Sequence, residues 1–168
     1  LLLRPLPVRD AHELVHITTA GTSEATSGSS NAPWFEEVAS RTDLFADAML
    51  VRHDVYKVGI DGRIGPLTGQ RVTTNYHRLR GARIVLGGTL TPHDRPEAGA
   101  PPVAVISHRL WQQRFGGRAD VVGATIEVDR RPYTIVGVTG RGFGGILVGW
   151  AADVTRPLDT AQYTQRGN

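Results

Sequence analysis

Residues 102–143 read PVAVISHRLWQQRFGGRADVVGATIEVDRRPYTIVGVTGRGF, and this stretch decides the fold. Its opening aliphatic run is typical of a buried strand. Ser107 is a suitable N-cap for a helix that turns Leu110, Trp111 and Phe115 toward the core, and the two glycines that follow end that helix. The pattern predicts a strand packed against a short helix.

The second half of the same stretch predicts two strands, at 125–128 and 133–138, joined at Asp129-Arg130. Two-residue hairpin turns of the usual type need a positive φ at both positions, and an arginine is strained there. We therefore expect a different turn type at Arg130.

An earlier hairpin is predicted around Asp61-Gly62, with arms at 50–60 and 64–74. Pro66 and Gly69 interrupt the second arm, because proline donates no ladder hydrogen bond and glycine weakens a strand. The second arm is expected to be an edge strand or to carry a bulge.

The segments before this hairpin are more polar. A first strand is predicted at 14–19, followed by a Gly/Ser-rich mobile loop at 20–32 and a short helix at 33–41. The apolar stripe of that helix consists of Trp34, Phe35 and Val38.

Glycine and proline also suggest how the chain is divided. Residues 81–90 and the proline-rich 92–102 are a predicted boundary between two small lobes, and a last strand is expected at 153–158. Few long helices and many turns favour an α+β or a mostly β fold, and we predict the α+β class.

Composition excludes several classes of protein. The 168 residues are 40% hydrophobic, contain no cysteine and include no apolar run long enough to span a membrane. The net charge of +3 comes from arginines scattered among sixteen acids, with Lys57 the single lysine. A basic patch for nucleic acid is not evident, so no nucleic-acid partner is expected; a binder of nucleic acid or of another anionic ligand that uses the surplus of arginines is the third hypothesis.

One pattern of metal-ligand type occurs, His12-Glu13-Leu14-Val15-His16, which matches the H-E-x-x-H of zinc peptidases. That chemistry needs both histidines on one helix face. The segment follows two prolines and runs into β-branched residues, which favours a strand. A zinc-dependent peptidase using His12, Glu13 and His16 remains the alternative function.

Two other patterns have simpler explanations. Gly140, Gly142 and Gly145 match G-x-G-x-x-G, but no helix of sufficient length follows to hold a pyrophosphate. Ser107-His108 places a nucleophile beside a base in sequence, where a triad geometry cannot form. We assign no catalytic, cofactor-binding or metal-binding residue.

The stretch 102–143 closely resembles the MacB-like periplasmic core domain of ABC-transporter permeases, especially the duplicated orphan permease type. LLLRPLPV at 1–8, VTTNYHRLRGARIVLGGTLTPHD at 72–94 and ADVTRPL at 152–158 are similar to other parts of that domain, in the same order. Three positions depart from the family pattern: His77 replaces a usual Phe, Thr155 a common aromatic residue, and Arg130 the usual Gly.

The resemblance implies two lobes, a porter-like β-α-β unit at 1–79 and an inserted α/β lobe with antiparallel hairpins at 80–158. Residues 159–168 would then begin a link to a second porter unit. It implies a non-catalytic domain without cofactors on the periplasmic side of the bacterial inner membrane, excised from an integral membrane protein. Expected partners are the flanking transmembrane helices and, in some relatives, a periplasmic adaptor. ATP is expected to bind only a separate cytoplasmic domain or subunit. The implied role is to couple helix motion to export or mechanical signalling.

Overall fold

The computed structural model describes residue 15 and residues 32–96, 99–144 and 150–159. The strand expected at 14–19 and the loop expected at 20–32 fall outside these ranges, apart from Val15, which is exposed, and Ala32, which begins the first helix.

Within these ranges the chain forms three short α-helices and seven strands, which confirms the α+β class. The helices are α1 (Ala32–Ser40), α2 (Tyr76–Leu79) and α3 (His108–Phe115); the strands are β1 (Val51–Ile60), β2 (Arg63–Val72), β3 (Ile84–Gly87), β4 (Val103–Ile106), β5 (Thr125–Val128), β6 (Arg131–Thr139) and β7 (Val154–Pro157).

The strands form one sheet that closes on itself. Neighbours follow the order β3-β6-β4-β7-β2-β1-β5, and β5 also pairs with β6. Six strands, β6, β4, β7, β2, β1 and β5, therefore form a ring, and β3 pairs with β6 beside it. Closing a sheet in this way removes most free strand edges.

The ring joins strands from both sides of residue 80. The hairpin β1–β2 pairs with β5 on one side and with β7 on the other, antiparallel and parallel respectively. The division of the chain at residues 79 and 158 stays a prediction.

The ring has two ends, which strand direction defines. We call the end at which β4 runs into α3 the helix end; there β1 and β6 also end, and β2, β5 and β7 begin. At the opposite end β1, β4 and β6 begin, and β2, β5 and β7 end.

The interior of the ring is the main core. Alternate residues point inward from each strand. The buried set is Tyr56, Val58, Ile60, Ala104, Ile106, Leu110, Phe115, Val121, Ile126, Val128, Tyr133, Ile135, Val138 and Val154. Leu110 and Phe115 come from α3 and Trp111 packs against this core, so the helix turns these residues inward as the sequence predicted, and it covers one end of the ring.

A smaller core lies outside the ring. Val72, Val103 and Val105 point outward from their strands and pack against Tyr76 of α2 and Leu90 of the following loop. The sheet is thus buried on both faces where α2 covers it.

The turn expectation for Arg130 was wrong. Asp129 and Arg130 have φ values of 49° and 67°, so both adopt the left-handed conformation of a type I′ turn. Lys57 on β1 holds the turn: its N–H donates to the Asp129 carboxylate at 2.9 Å, and its carbonyl accepts from the Asp129 N–H at 2.9 Å. These anchors, together with strand twist, outweigh the strain at Arg130.

The bulge considered for β2 is not observed, because β2 pairs with β1 in unbroken register from Arg63 to Val72. The half that contains Pro66 pairs with β1 alone, whereas β7 begins to pair at Gly69. The missing N–H of Pro66 therefore removes no hydrogen bond between β2 and β7. A Cβ at Gly69 would lie 2.1 Å from the Tyr56 ring, so glycine is needed for this ring to lie across the strand.

Candidate functional site

Asp153 joins three elements at the helix end of the ring. Its carboxylate accepts hydrogen bonds from the Ser107 hydroxyl at 2.9 Å and from Nε and Nη2 of Arg109 at 3.0 and 2.6 Å. Its backbone N–H donates to the carbonyl of Thr68 at 2.8 Å, and its carbonyl accepts from the Ser107 N–H at 2.9 Å. The residue therefore ties β2, β7 and the start of α3 together.

Charge strengthens this junction. Only 7% of the Asp153 side chain is exposed, whereas Arg109 is half exposed. The hydrogen bonds to Asp153 raise the pKa of Arg109. A buried carboxylate needs such a partner, since an unpaired buried charge is costly.

Arg156 occupies the opposite end of the ring. Its guanidinium lies 4.8 Å from the centre of the Tyr56 ring and 5.5 Å from that of Tyr133, and Nη1 donates to the Tyr133 hydroxyl at 2.6 Å. Burial raises the pKa of Tyr56 to about 12, although Arg156 opposes this rise. The cation is thus held by two aromatic faces, an arrangement that favours a guanidinium over an ammonium.

A bidentate ion pair adjoins Arg156. Arg71 donates from Nε and Nη2 to the carboxylate of Asp54, at 2.7 and 3.0 Å, and both side chains are about three-quarters buried. Arg71 is the register partner of Arg156 on the neighbouring strand. Arg71 and Arg156 are therefore neighbours on β2 and β7 at this end of the ring.

His77 lies in the outer core, fully buried. Its ring is 5.3 Å from that of Tyr76 and 5.9 Å from that of Phe143, and neither ring nitrogen has a hydrogen-bond partner among the described residues. Burial lowers the pKa of His77 to about 4. The imidazole is therefore neutral at pH 7 and fills the place of an aromatic side chain.

Ser107 has the structural role that the sequence predicted. Its hydroxyl accepts from the Leu110 N–H at 3.0 Å as the N-cap of α3 and donates to Asp153. The ring of His108 packs edge-on against Trp111 at 5.4 Å. The serine and the histidine are thus engaged in separate contacts.

The glycine pattern begins in a turn. The Gly140 N–H donates to the carbonyl of Arg83 at 2.7 Å, and Gly142 has a φ of 81°. Residues 140–144 contain no helix, and Gly145 lies outside the described ranges. The predicted turn is confirmed for this part.

His12, Glu13 and His16 lie outside the described residues, so their geometry is not defined. Within the described ranges no group of three or more histidine, aspartate or glutamate side chains is placed to hold a metal ion. Nor does any helix there have the length and apolar character needed to cross a membrane.

Sequence reasoning missed the roles of Asp153 and Arg156. Alternation along β7 places Val154 and Arg156 on the inner face, a signal that could have identified an inward-facing arginine. No pattern in the sequence could have identified the tyrosines and serine that bind these residues, because Tyr56, Tyr133 and Ser107 come from distant segments of the chain.

The fold is that of the extracytoplasmic domains of ABC-type transporters. The chain is similar to the periplasmic region of MacB from Actinobacillus actinomycetemcomitans, with 14% identity and a TM-score of 0.66 over 90% of this chain and 67% of that one. It is also similar to the extracellular domain of the noncanonic transporter YknZ from Gram-positive bacteria, with 14% identity and a TM-score of 0.53 over 70% of this chain and 56% of that one.

A family model agrees with the fold. The model of the MacB-like periplasmic core domain matches residues 5–168, so the chain belongs to this family and is a periplasmic domain of a MacB-like ABC-transporter permease. The resemblance noted in the sequence is thereby confirmed.

A curated relative adds the wider context. The chain is 26% identical over 124 residues to the probable syringafactin export ATP-binding/permease protein SyfD of Pseudomonas syringae pv. tomato. The match covers 74% of this chain and 17% of SyfD, so the chain spans about a sixth of that relative's length. These comparisons give no support to the zinc peptidase.

Proposed function

We propose that this domain has no catalytic role and couples the motion of its permease's membrane helices to the periplasmic side, in export or in mechanical signalling. The observation that carries the proposal is the closed ring, in which segments far apart in the chain are paired with one another. A closed, packed sheet transmits displacement because its interior resists deformation.

The Asp153 junction supports the same role. Charge-assisted hydrogen bonds from Ser107 and Arg109, which are stronger than neutral ones, fix the start of α3, and a backbone hydrogen bond from Asp153 to Thr68 fixes β2. A domain that passes on motion needs such rigid joints, since soft joints would absorb the displacement.

The proposed partners are the transmembrane helices of the same permease, in the bacterial inner membrane, with ATP bound by a separate cytoplasmic domain or subunit. A periplasmic adaptor is a further proposed partner. SyfD, whose name includes both ATP-binding and permease functions, supports the presence of an ATP-driven partner.

The test uses the full parent permease with residues 51–158 replaced by a short Gly/Ser linker, and a second variant, Asp153→Ala. We expect the linker replacement to abolish export or the cellular output. Asp153→Ala should reduce this output, because loss of the buried carboxylate lowers the free energy of unfolding by about 2 kcal/mol. Normal ATP hydrolysis and normal membrane insertion of each variant would show that the rest of the permease is intact.

Asp120→Ala is the matched control, since Asp120 is exposed and forms a 3.3 Å pair with Arg118. It removes one carboxylate without touching the ring and should leave the output unchanged. Wild-type output from the linker variant, with normal insertion, would refute a coupling role.

A further inference from the structure

Five arginines gather at the end of the ring opposite α3. Arg71 and Arg156 lie on neighbouring strands there, and Arg52 is the register partner of Arg71 on β1. Arg130 and Arg131 form the end of the β5–β6 hairpin, which reaches the same end of the ring. We call these five residues the arginine end.

Acidic residues offset only part of this charge. Among the described residues, three aspartates lie at this end: Asp54, Asp129 and Asp159, which follows the end of β7. Asp54 is bound by Arg71, and the Asp129 carboxylate accepts from the backbone of β1. In the described part of the chain, the five arginines at this end therefore outnumber the three aspartates, and the charge there is positive.

Backbone strain occurs at the same place. Arg130 has a φ of 67°, a conformation that glycine adopts more cheaply than any other residue, and its side chain is exposed. Strain of this kind concentrates at sites where function retains the side chain. An arginine kept in this turn adds charge to the end at a cost in backbone energy.

We infer that the arginine end is a docking surface for a carboxylate-rich segment of a partner protein. The structure already contains one such contact, since Arg71 binds Asp54 in the bidentate geometry that guanidinium forms with carboxylates. A partner's Asp and Glu side chains would bind Arg130 and Arg131, which are exposed. They would also contact the exposed parts of Arg52, Arg71 and Arg156, which are partly buried.

The spacing of the arginines favours an extended segment over one small anion. Arg52, Arg71 and Arg156 come from three adjacent strands, which spread them over about 10 Å. A single phosphate cannot bridge that span, whereas successive acidic residues of one segment can. A flat bilayer surface is also disfavoured, because it cannot enter the end of the ring to reach Arg71, which is about three-quarters buried, whereas a single extended carboxylate side chain can reach the exposed edge of this residue.

The test measures binding of a fluorescent oligoglutamate peptide to the purified domain by anisotropy, at low and at high ionic strength. We expect binding at low salt and about tenfold weaker binding when Arg130→Gly and Arg131→Ser are combined, because each lost charge contact contributes several-fold. Arg130→Gly relieves the backbone strain of the turn, so a loss of binding cannot be assigned to unfolding at this position.

Arg118→Ser is the matched control, because Arg118 is half exposed and follows α3, which covers the other end of the ring. It should change the affinity less than about twofold. Three results would overturn the inference: no peptide binding at low salt, equal weakening by Arg118→Ser, or displacement of the peptide by inorganic phosphate at equal concentration. Tighter binding to phosphatidylglycerol vesicles, with the same sensitivity to Arg130→Gly and Arg131→Ser, would instead assign the surface to the membrane.

Discussion

At the scale of single residues, His77 lies where only an uncharged ring is stable. It is fully buried against Tyr76 and Phe143, at a position where Phe is expected from the family resemblance. The protein accepts a polar ring there because neutral imidazole is flat and can pack as an aromatic group. A protonated imidazole cannot pack in this way, since a buried cation without a partner is costly.

This environment makes stability depend on pH. The pKa of His77 is about 4 in the folded domain and 6.5 in an unfolded chain, so the unfolded state binds the proton more readily. The contribution of His77 is fully present above pH 6.5 and is lost as the pH falls toward 4. The loss reaches about 3 kcal/mol at pH 4.

Urea unfolding of the wild type and of His77→Phe, each at pH 7 and near pH 4, checks this expectation. The variant should lose about 3 kcal/mol less than the wild type over this range, because other groups titrate equally in both proteins. His93→Gln, at an exposed position, serves as the control. Equal acid sensitivity of His77→Phe and the wild type would contradict the assignment.

At the scale of elements, α3 depends on its caps and on the ring. Eight residues are too few for a stable isolated helix. Ser107 satisfies the first turn, and Gly116 ends the helix in the left-handed conformation, with a φ of 62°. Leu110 and Phe115 then bury its apolar face in the interior core.

Leu110→Ala should therefore lower the free energy of unfolding by about 2–5 kcal/mol, because Leu110 is 2% exposed and its truncation leaves a cavity. Denaturant unfolding at pH 7 measures the effect. Gln113→Ala, on the exposed side of the same helix, is the control and should change stability little. A loss below about 0.5 kcal/mol for Leu110→Ala would mean that the helix does not pack on the ring.

At the scale of the whole molecule, ring closure makes the strands depend on one another. The hairpin β1–β2 has paired neighbours on both sides, β5 and β7, which come from beyond residue 80. Opening either junction exposes the interior core to water. The strands of the ring should therefore behave as one cooperative unit.

Native-state hydrogen exchange tests this cooperativity. Amides of β1 and β2 should exchange with the same opening free energy as those of β4, β5 and β6. Thermal unfolding followed through the tryptophans should show one transition. Two separable units that divide near residue 79 would support the lobe boundary instead and contradict the cooperative ring.

The sequence alone determined the elements whose signals are local. Turn chemistry and side-chain alternation act between residues within a few positions of one another. They specify the hairpin at Asp61-Gly62, the Ser107 cap, the apolar face of α3 and the strands around Asp129. The family was recognisable for the same reason, since its longest motif, 102–143, is contiguous.

Only the tertiary structure decided the closure of the ring and the residues gathered at its two ends. Pairing of β1 with β5 and of β2 with β7 joins segments separated by about half the chain, and no local pattern specifies such long-range partners. Asp153 and Arg156 acquire their roles from that closure, and His77 acquires its role from the outer core, because burial and neighbouring side chains set their charge and contacts. Even the turn at Arg130 was decided there, since anchoring to Lys57 on a distant strand outweighed the local preference for glycine.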